Sequence, residues 1–237
     1  MNVSACIGII GAAAPMLQET FGGALIGQPE VGFAALKSNE AMAASAAAVA
    51  AGFVGLISLF NIFGRIGWAT SSDKLGRKTT YYIFFVLGIA MYLACHYFAV
   101  NKSLALFAAA ICIVSSMYGG GFATIPAYLA DIFGTQFVGA IHGRLLTAWA
   151  TAGIVGPVIV NYMHDTRLES GVAFDEIYAP IFLVISILLV IGFIANFLIK
   201  PVDESKTMSD EELENVRKLA HETSLKDLQT SAGASTQ

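Results

Sequence analysis

Long apolar runs constrain the fold of this chain more than any other feature. Five of them are long enough to cross a bilayer, because a membrane-spanning helix needs about 20 predominantly apolar residues. Apolar residues make up 56% of the sequence and charged residues 13%, about half the charged share of a soluble domain. The sequence therefore predicts an all-α membrane protein. The five runs are Ala43–Ala69, Thr80–Val100, Ser103–Ile132, Leu145–Met163 and Ile177–Ile199.

A sixth apolar run, from Met1 to about Met16, is too short to span a bilayer, and we expect it to end at Pro15. It lacks the basic start that a signal peptide would have. We interpret it as a helix cut at its N-terminal side, so that the chain would begin partway into a larger protein. Residues 1–200 are then predicted to form a six-helix transmembrane bundle whose first helix is truncated.

The charged segment Ala69–Lys78 is predicted to be a tight turn between two spans. Short loops rich in Lys and Arg lie on the cytoplasmic side of a membrane. One side collects Lys74, Arg77, Lys78, Arg144 and Lys200, whereas Lys37, Lys102 and Arg167 stand singly on the other. The charged turn and the C-terminal tail are therefore predicted to be cytoplasmic, in a multi-pass protein of the plasma (inner) membrane.

Residues 201–237 differ in character from the rest of the chain. Acidic residues concentrate there, so the net charge of −4 describes a solvated tail and predicts no nucleic-acid partner. Ser209 and Glu212 match a capping box, and Leu213, Val216, Leu219 and Ala220 follow at helical spacing. We expect a short amphipathic helix, either solvated or docked on a partner, and a disordered end over Thr230–Gln237.

No motif of a hydrolytic, redox or nucleotide-binding enzyme is present in the sequence. The spans also lack the buried acid, histidine or metal cluster that a membrane-embedded enzyme would need. We therefore expect no cofactor, no metal and no enzymatic activity. Cys6, Cys95 and Cys112 are interpreted as buried apolar residues, and His96, His142 and His164 as interfacial residues near helix ends.

Arg65 is the exceptional charge, because it lies inside an apolar run. A charged side chain within a span is costly unless it meets water, a partner or a ligand. Arg65 either reaches the cytoplasmic interface or presents a bidentate fork to a carboxylate substrate. Asn61 lies one turn earlier on the same helix face and offers a further hydrogen-bond donor.

Glycine, proline and aromatic residues mark the later spans. Tyr118–Pro126 contains three successive glycines and a proline, and Gly153–Pro157 is a weaker example. Such a helix can bend as a gate, or it can simply pack closely against a neighbour. Tyr118 and Trp149 lie near mid-span, where they line a polar cavity or pack in the core. The substrate-binding candidates are thus Arg65, Asn61, Tyr118 and Trp149.

The charged turn also suggests a conformational latch. The Asp73 carboxylate is placed to cap the positive N-terminus of a neighbouring helix. Arg77 is placed to pair with Asp131 at the end of its span, and Gly76 and Lys78 complete the motif. These contacts would hold the cytoplasmic side closed in one state, although positive-inside topology alone also accounts for Lys78.

Four stretches, Asn2–Gly11, Phe60–Arg65, Ser72–Lys78 and Tyr118–Asn161, resemble the C-terminal six-helix half of a major facilitator transporter. Within that superfamily the chain looks most like the oxalate:formate antiporter family. The resemblance implies a twelve-helix carrier of small carboxylates, whose two halves rock about a central site. It also implies that an N-terminal six-helix half is missing, and that the helix capped by Asp73 belongs to that half.

In that family an arginine and a lysine are associated with the dianionic substrate. Arg65 matches the arginine, whereas Trp149 stands where the lysine is expected, and Ala69 replaces the leading glycine of the turn motif. One fixed cation suits a monocarboxylate better than a dicarboxylate. The resemblance, with this departure, thus implies secondary active transport of a small organic anion such as formate, lactate or pyruvate. The alternative is a self-sufficient six-helix carrier or channel that acts as a dimer.

Overall fold

The structure, a computed structural model, describes residues 1–200, 209, 211–212 and 214–223, and the chain divides into units Met1–Ile199 and Lys200–Gln237. The described part of the first unit consists of helices joined by short turns, with no strand. Short 3₁₀ helices cover Gly22–Ile26 and Phe174–Glu176. The α-helices are α1 (Asn2–Gly11), α2 (Ala13–Phe21), α3 (Phe33–Ser38), α4 (Glu40–Leu75), α5 (Arg77–Val100), α6 (Leu104–Phe133), α7 (Val138–Glu169) and α8 (Ala179–Leu198).

Five helices, α4 to α8, are long and apolar enough to cross a membrane, which confirms the five predicted spans. The helices are mostly longer than predicted; α7, for instance, begins at Val138 and continues through His164 to Glu169. The turn predicted over Ala69–Lys78 is present but much shorter than predicted. Helix α4 continues to Leu75 and α5 begins at Arg77, so Gly76 alone makes the turn, at φ 85°. A positive φ costs glycine little, and this lets two long helices meet at one residue.

The first apolar run is also longer than predicted and does not end at Pro15. It forms α1 and α2, and the axes of Asn2–Gly11 and Ala13–Ile26 differ by 62°. Pro15 lies in the first turn of α2, where its missing N–H costs nothing. The same missing N–H removes the bond that Gly11 would accept in a continuous helix. The helix therefore breaks after Gly11 and a new helix begins at Ala13, whereas the sequence predicted one helix that ends near Met16.

Successive long helices run in alternating directions between two ends of the bundle. At the Gly76 end, where α4 meets α5, Lys78 Nζ donates to the carbonyl oxygen of Ile199 after α8, at 2.6 Å. At the Asn101 end, where α5 meets α6, Lys102 Nζ donates to the carbonyl oxygen of Thr20 in α2, at 3.1 Å. The end of α8 therefore lies beside the start of α5, and the end of α2 lies beside the turn between α5 and α6.

Three helix pairs make the most extensive contacts, namely α4 with α6, α5 with α8 and α1 with α7. Large apolar side chains fill the centre between α5, α6 and α8, where Phe84, Tyr92, Phe107 and Phe182 are fully buried. Burial of such side chains is the main favourable term in soluble proteins, but within a bilayer close van der Waals packing carries the association. Much of α4 and α7 remains outside this core.

In the second unit, residues 211–212 and 214–223 are helical. The predicted capping box is present, because the Ser209 backbone N–H donates to Glu212 Oε2 at 2.8 Å and the Glu212 N–H donates to Ser209 Oγ at 3.3 Å. Val216 is half-buried and Leu219 is exposed. Leu213 and the predicted disordered end, Thr230–Gln237, lie outside the described residues.

Acidification is expected to weaken the start of this tail helix. Hydrogen bonds from the backbone and hydroxyl of Ser209 hold the pKa of Glu212 below its ordinary value. A carboxylate with a lowered pKa stabilises the folded form above its unfolded pKa, and that contribution is lost as the pH falls through the folded pKa. Cα chemical shifts of residues 214–223 in the full chain should move toward coil values below about pH 4. Glu212→Gln should remove most of this pH dependence, whereas Glu222→Gln should retain it.

Candidate functional site

Glycines let α4 and α6 approach until their backbones touch. A methyl group at Gly64 would overlap the backbone of Ser116, and one at Gly119 would overlap the backbone of Asn61. Hydrogen bonds cross the same contact, from Trp68 Nε1 to Ser116 Oγ at 3.2 Å and from Ser115 Oγ to the carbonyl oxygen of Ile57 at 2.9 Å. Small residues and interhelical hydrogen bonds are the usual means of joining membrane helices. This contact fixes the position of Arg65 on α4 relative to α6.

Arg65 points toward α6. Its guanidinium carbon lies 5.4 Å from the centroid of the Phe122 ring, a cation–π distance. The Arg65 residue is exposed at the bundle surface. Among the described residues no carboxylate lies within ion-pair distance of it. An arginine held by a ring face and lacking an acidic partner has its donors available for an anion.

Three aromatic side chains, Tyr118, Phe122 and Trp149, form the aromatic cluster beside Arg65. Trp149 Nε1 donates to the Tyr118 hydroxyl at 3.3 Å. The Trp149 ring meets Phe122 edge-on, with centroids 6.1 Å apart. Phe122 therefore contacts both Arg65 and Trp149, and it joins residues of α4, α6 and α7.

The aromatic cluster forms one wall of a cavity of about 460 Å³ between α1, α5, α6, α7 and α8. Most of the lining is apolar, with a few polar side chains, as in typical small-molecule sites. Tyr128, which also lines it, donates its hydroxyl to Asn196 Oδ1 at 3.4 Å. Asn196 Nδ2 and His142 Nδ1 are buried there without a hydrogen-bond partner among the described residues. Buried polar atoms of this kind are normally satisfied by water or a ligand.

The structure thus brings together three of the four substrate-binding candidates. Arg65, Tyr118 and Trp149 meet around Phe122, whereas the Asn61 amide donates to the carbonyl oxygen of Ser115 in α6, at 3.4 Å. Phe122 is not among the residues that the sequence predicts to bind substrate. It lies one turn after Tyr118 on α6, so helical spacing was the signal that could have identified it.

Charged residues at the Gly76 end meet around Arg77. Its NH2 group lies 2.5 Å from Asp73 Oδ1, and its Nε lies 3.6 Å from Asp131 Oδ2. Arg77 also donates to the Ser72 hydroxyl. The Arg77 side chain is 19% exposed, whereas Asp73 and Asp131 are 63% and 60% exposed. Arg77 is therefore the centre of the arrangement, and both carboxylates retain oxygen atoms open to other partners.

Comparison with known proteins gives the family. The model of the Major Facilitator Superfamily matches residues 2–232. The "Glucose transporter GlcP" of Staphylococcus epidermidis (strain ATCC 12228 / FDA PCI 1200) is 30% identical over 91 residues, which are 38% of this chain and 20% of that transporter. The alignment therefore spans one fifth of that relative. No solved structure matches the chain significantly. Because the family model covers almost all of it, the chain belongs to the major facilitator superfamily, a family of membrane transporters.

Proposed function

We propose that this chain is one six-helix half of a secondary active carrier that moves a small monocarboxylate, such as formate, lactate or pyruvate, by alternating access. A second six-helix half would precede it and supply the rest of the substrate contacts. The carrier lies in the bilayer of the plasma (inner) membrane, and the Gly76 end and the C-terminal tail face the cytoplasm. The oxalate:formate antiporters, which the sequence resembles, would then be a functional parallel.

The observation that carries this proposal is Arg65 and its surroundings. The guanidinium lies against Phe122 without a carboxylate partner among the described residues. A planar guanidinium matches both oxygens of a carboxylate. Next to it, the Trp149 N–H and the Tyr118 hydroxyl form a polar pair on an otherwise apolar wall. A small anion with a short apolar part fits such a surface.

Polar residues on α4 and α7 support the proposal that a second six-helix half packs against this one. Both helices carry a row of exposed or half-buried polar side chains at helical spacing. Their serine and threonine hydroxyls donate to carbonyls of their own helices, so the arginines are the side chains that would be costly against lipid. A row of this kind suits an aqueous path between two halves of a carrier. Ser58, Asn61 and Arg65 form the row on α4, and Arg144, Thr147 and Thr151 form the row on α7.

The number of fixed cations favours a single negative charge on the substrate. Trp149 occupies the position at which the oxalate:formate resemblance implies a lysine. Its indole donates to Tyr118 and offers no charge. A dicarboxylate would therefore leave one charged group unpaired in a mostly apolar site, at considerable cost.

The test is solute counterflow in proteoliposomes that contain the full-length carrier. Labelled formate, lactate, pyruvate, oxalate and glucose would be compared, each against the same unlabelled solute inside. Counterflow of a monocarboxylate, competed by other monocarboxylates and not by oxalate, is the expected result. Counterflow of oxalate at an equal rate would contradict the argument from Trp149.

A sugar is the second candidate substrate. One relative carries the name of a glucose transporter, and the indole, phenol and amide groups of Trp149, Tyr118 and Asn61 are common partners of hydroxyl groups. Glucose counterflow without anion counterflow in the same assay would favour this candidate and leave Arg65 with a different role.

The proposal that this chain is one half of a carrier is tested by sequencing the gene upstream of Met1. Coding for six further spans upstream of Met1, in the same frame, would agree with the half-carrier proposal. A short chain that transports as a dimer after purification would contradict it, and would make the protein a minimal carrier in its own right.

We also propose that Asp73, Gly76, Arg77, Lys78 and Asp131 form the latch of the closed cytoplasmic side. Asp131→Asn is then expected to slow transport several-fold and to change thermal stability little. Exposed ion pairs contribute only about 0.2–1 kcal/mol, and 1 kcal/mol changes the balance between two carrier states by roughly fivefold. Counterflow rate and thermal unfolding of the purified carrier measure the two effects. Glu169→Gln, an exposed acid in the last turn of α7, is the control that should leave both unchanged.

A further inference from the structure

A histidine lies between two carboxylates near the Asn101 end of the bundle. His164 Nε2 lies 2.9 Å from Glu19 Oε2, and His164 Nδ1 lies 2.9 Å from Asp165 Oδ1. Glu19 belongs to α2, whereas His164 and Asp165 belong to α7. The side chains of His164 and Glu19 are 18% and 11% exposed, and Asp165 is 70% exposed. The cluster therefore ties two helices together and opens to water on the Asp165 side.

Counting hydrogen-bond donors shows that this cluster is complete only with an added proton. A neutral imidazole has one N–H and one acceptor nitrogen, and an ionised carboxylate only accepts. Both contacts of His164 are with carboxylate oxygens at hydrogen-bond distance. They are satisfied together when both ring nitrogens carry hydrogen, or when one carboxyl is protonated. Without that proton, a ring nitrogen lone pair faces a carboxylate oxygen and the contact becomes repulsive.

Neither of the two cations at this end, Lys102 and Arg167, pairs with a residue of the cluster, although the buried Nε of Arg167 has no hydrogen-bond partner among the described residues. Lys102 Nζ lies 2.8 Å from Asp175 Oδ2 and donates to the carbonyl oxygen of Thr20. Arg167 donates to the carbonyl oxygen of Glu176 at 3.3 Å. Among the described residues, neither cation forms an ion pair with Glu19. A proton is thus the cation available to neutralise this nearly buried carboxylate.

Two further titratable groups lie close by. Tyr178, at the start of α8, is buried with its ring centroid 5.4 Å from that of His164. His96 of α5 is committed to the carbonyl oxygen of Ala179, with its Nδ1 at 2.8 Å. Glu19 of α2, Asp165 of α7 and Tyr178 at the start of α8 are thus the titratable groups in contact with His164. The other charged or titratable groups at this end of the bundle are His96, Lys102, Arg167, Asp175 and Glu176.

The cluster lies on the helix that carries the proposed substrate contact. His164 follows Trp149 by 15 residues on α7, about 22 Å along a helix axis. Between them α7 packs on α1, where a methyl group at Gly8 would lie 2.8 Å from the carbonyl oxygen of Gly156. A change in the α2–α7 contact at one end can therefore tilt α7 about this close contact and shift Trp149.

We propose that Glu19, His164 and Asp165 bind one proton that drives transport: when bound it fastens α2 to α7, and when released it frees α7 to move with Trp149. The inference rests on the proposed function, and it names the coupling ion. The proton enters from water at Asp165 and is shared with His164 and Glu19. Its release toward the opposite side in the other conformation of the carrier would complete the cycle.

The first test separates coupling from substrate transport. In proteoliposomes with the full-length carrier, labelled lactate would be followed in counterflow at equal pH and in uptake driven by an imposed pH gradient. Glu19→Gln and His164→Gln are expected to keep counterflow within about twofold and to lose gradient-driven accumulation. His96→Gln, the other histidine of this end, should keep both activities. Full gradient-driven accumulation in Glu19→Gln and His164→Gln would overturn the proposal.

The second test needs no substrate, so it decides the proton site even if lactate is not transported. The proton-bound form stabilises the α2–α7 contact, and that contribution is lost as the pH rises and His164 deprotonates. The unfolding temperature of the purified full-length carrier should therefore fall by roughly 2–4 °C between about pH 5 and pH 8. His164→Gln should abolish this fall and His96→Gln should retain it. An identical pH profile for wild type and His164→Gln would overturn the proposal, whereas absent lactate counterflow would count against the proposed function alone.

Discussion

Replacing Arg65 with glutamine in the full-length carrier is expected to abolish uptake of the labelled monocarboxylate while expression stays intact. Glutamine keeps part of the length of the side chain, but it loses the charge, the forked donors and the cation–π contact with Phe122. Hydrogen bonds to a charged group contribute about 1.5–3 kcal/mol, which corresponds to roughly 10- to 150-fold in affinity. Counterflow rates at several substrate concentrations would measure the loss.

Two variants make this result specific. Arg65→Lys keeps the charge without the fork, and an intermediate rate would support bidentate binding of the carboxylate. Lys37→Gln removes an exposed cation on α3, and it should transport normally. Unchanged uptake by Arg65→Gln would exclude the carboxylate role and leave Arg65 as an anchor near the membrane interface.

Alanine at Gly64 or Gly119 is expected to cost the bundle much of its stability. The added methyl group would overlap backbone atoms of Ser116 or Asn61, and no side-chain rotation can remove such an overlap. Overpacking in a core costs about 1–3 kcal/mol when side chains can yield, so a backbone clash is expected to lie at or above the top of that range. Size-exclusion profiles and thermal unfolding in detergent would show the loss.

Gly67→Ala is the matched control for Gly64→Ala. Both glycines lie on α4, but a methyl group at Gly67 meets no atom within 4 Å. Alanine is also the better helix former, so Gly67→Ala should be as stable as the wild type or slightly more stable. Equal stability of the Gly64→Ala and Gly67→Ala proteins would mean that the α4–α6 contact does not hold the bundle together.

The spans were predictable from sequence because length and hydropathy alone decide whether a helix can cross a bilayer. The tail cap was predictable because a capping box is a local pattern. The turn at Gly76 was predicted too long. Charged residues at the end of an apolar run predict a loop, but charge does not end a helix that has already formed, and Asp73 and Lys74 continue α4.

Contacts between distant parts of the chain escaped sequence analysis for a different reason. Phe122 gains its importance from Arg65 on α4 and Trp149 on α7, and no local pattern records that meeting. Glu19 and His164 are 145 positions apart. Glu19 lies beyond the end predicted for the first apolar run at about Met16, and His164 lies one residue beyond the predicted span Leu145–Met163. Their contact depends on the break before Ala13, which turns α2 so that Glu19 reaches His164 near the end of α7.

The backbone contact between α4 and α6 has an evolutionary consequence. Because Gly64 and Gly119 lock these helices together, Arg65 and Phe122 keep one spacing, and a new substrate cannot be accommodated by sliding one helix past the other. Position 149 lies on α7 and is 42% exposed, so its side chain can be exchanged at little structural cost. Descendants of this protein should therefore diverge in selectivity through α7, while the wall made by α4 and α6 is inherited unchanged.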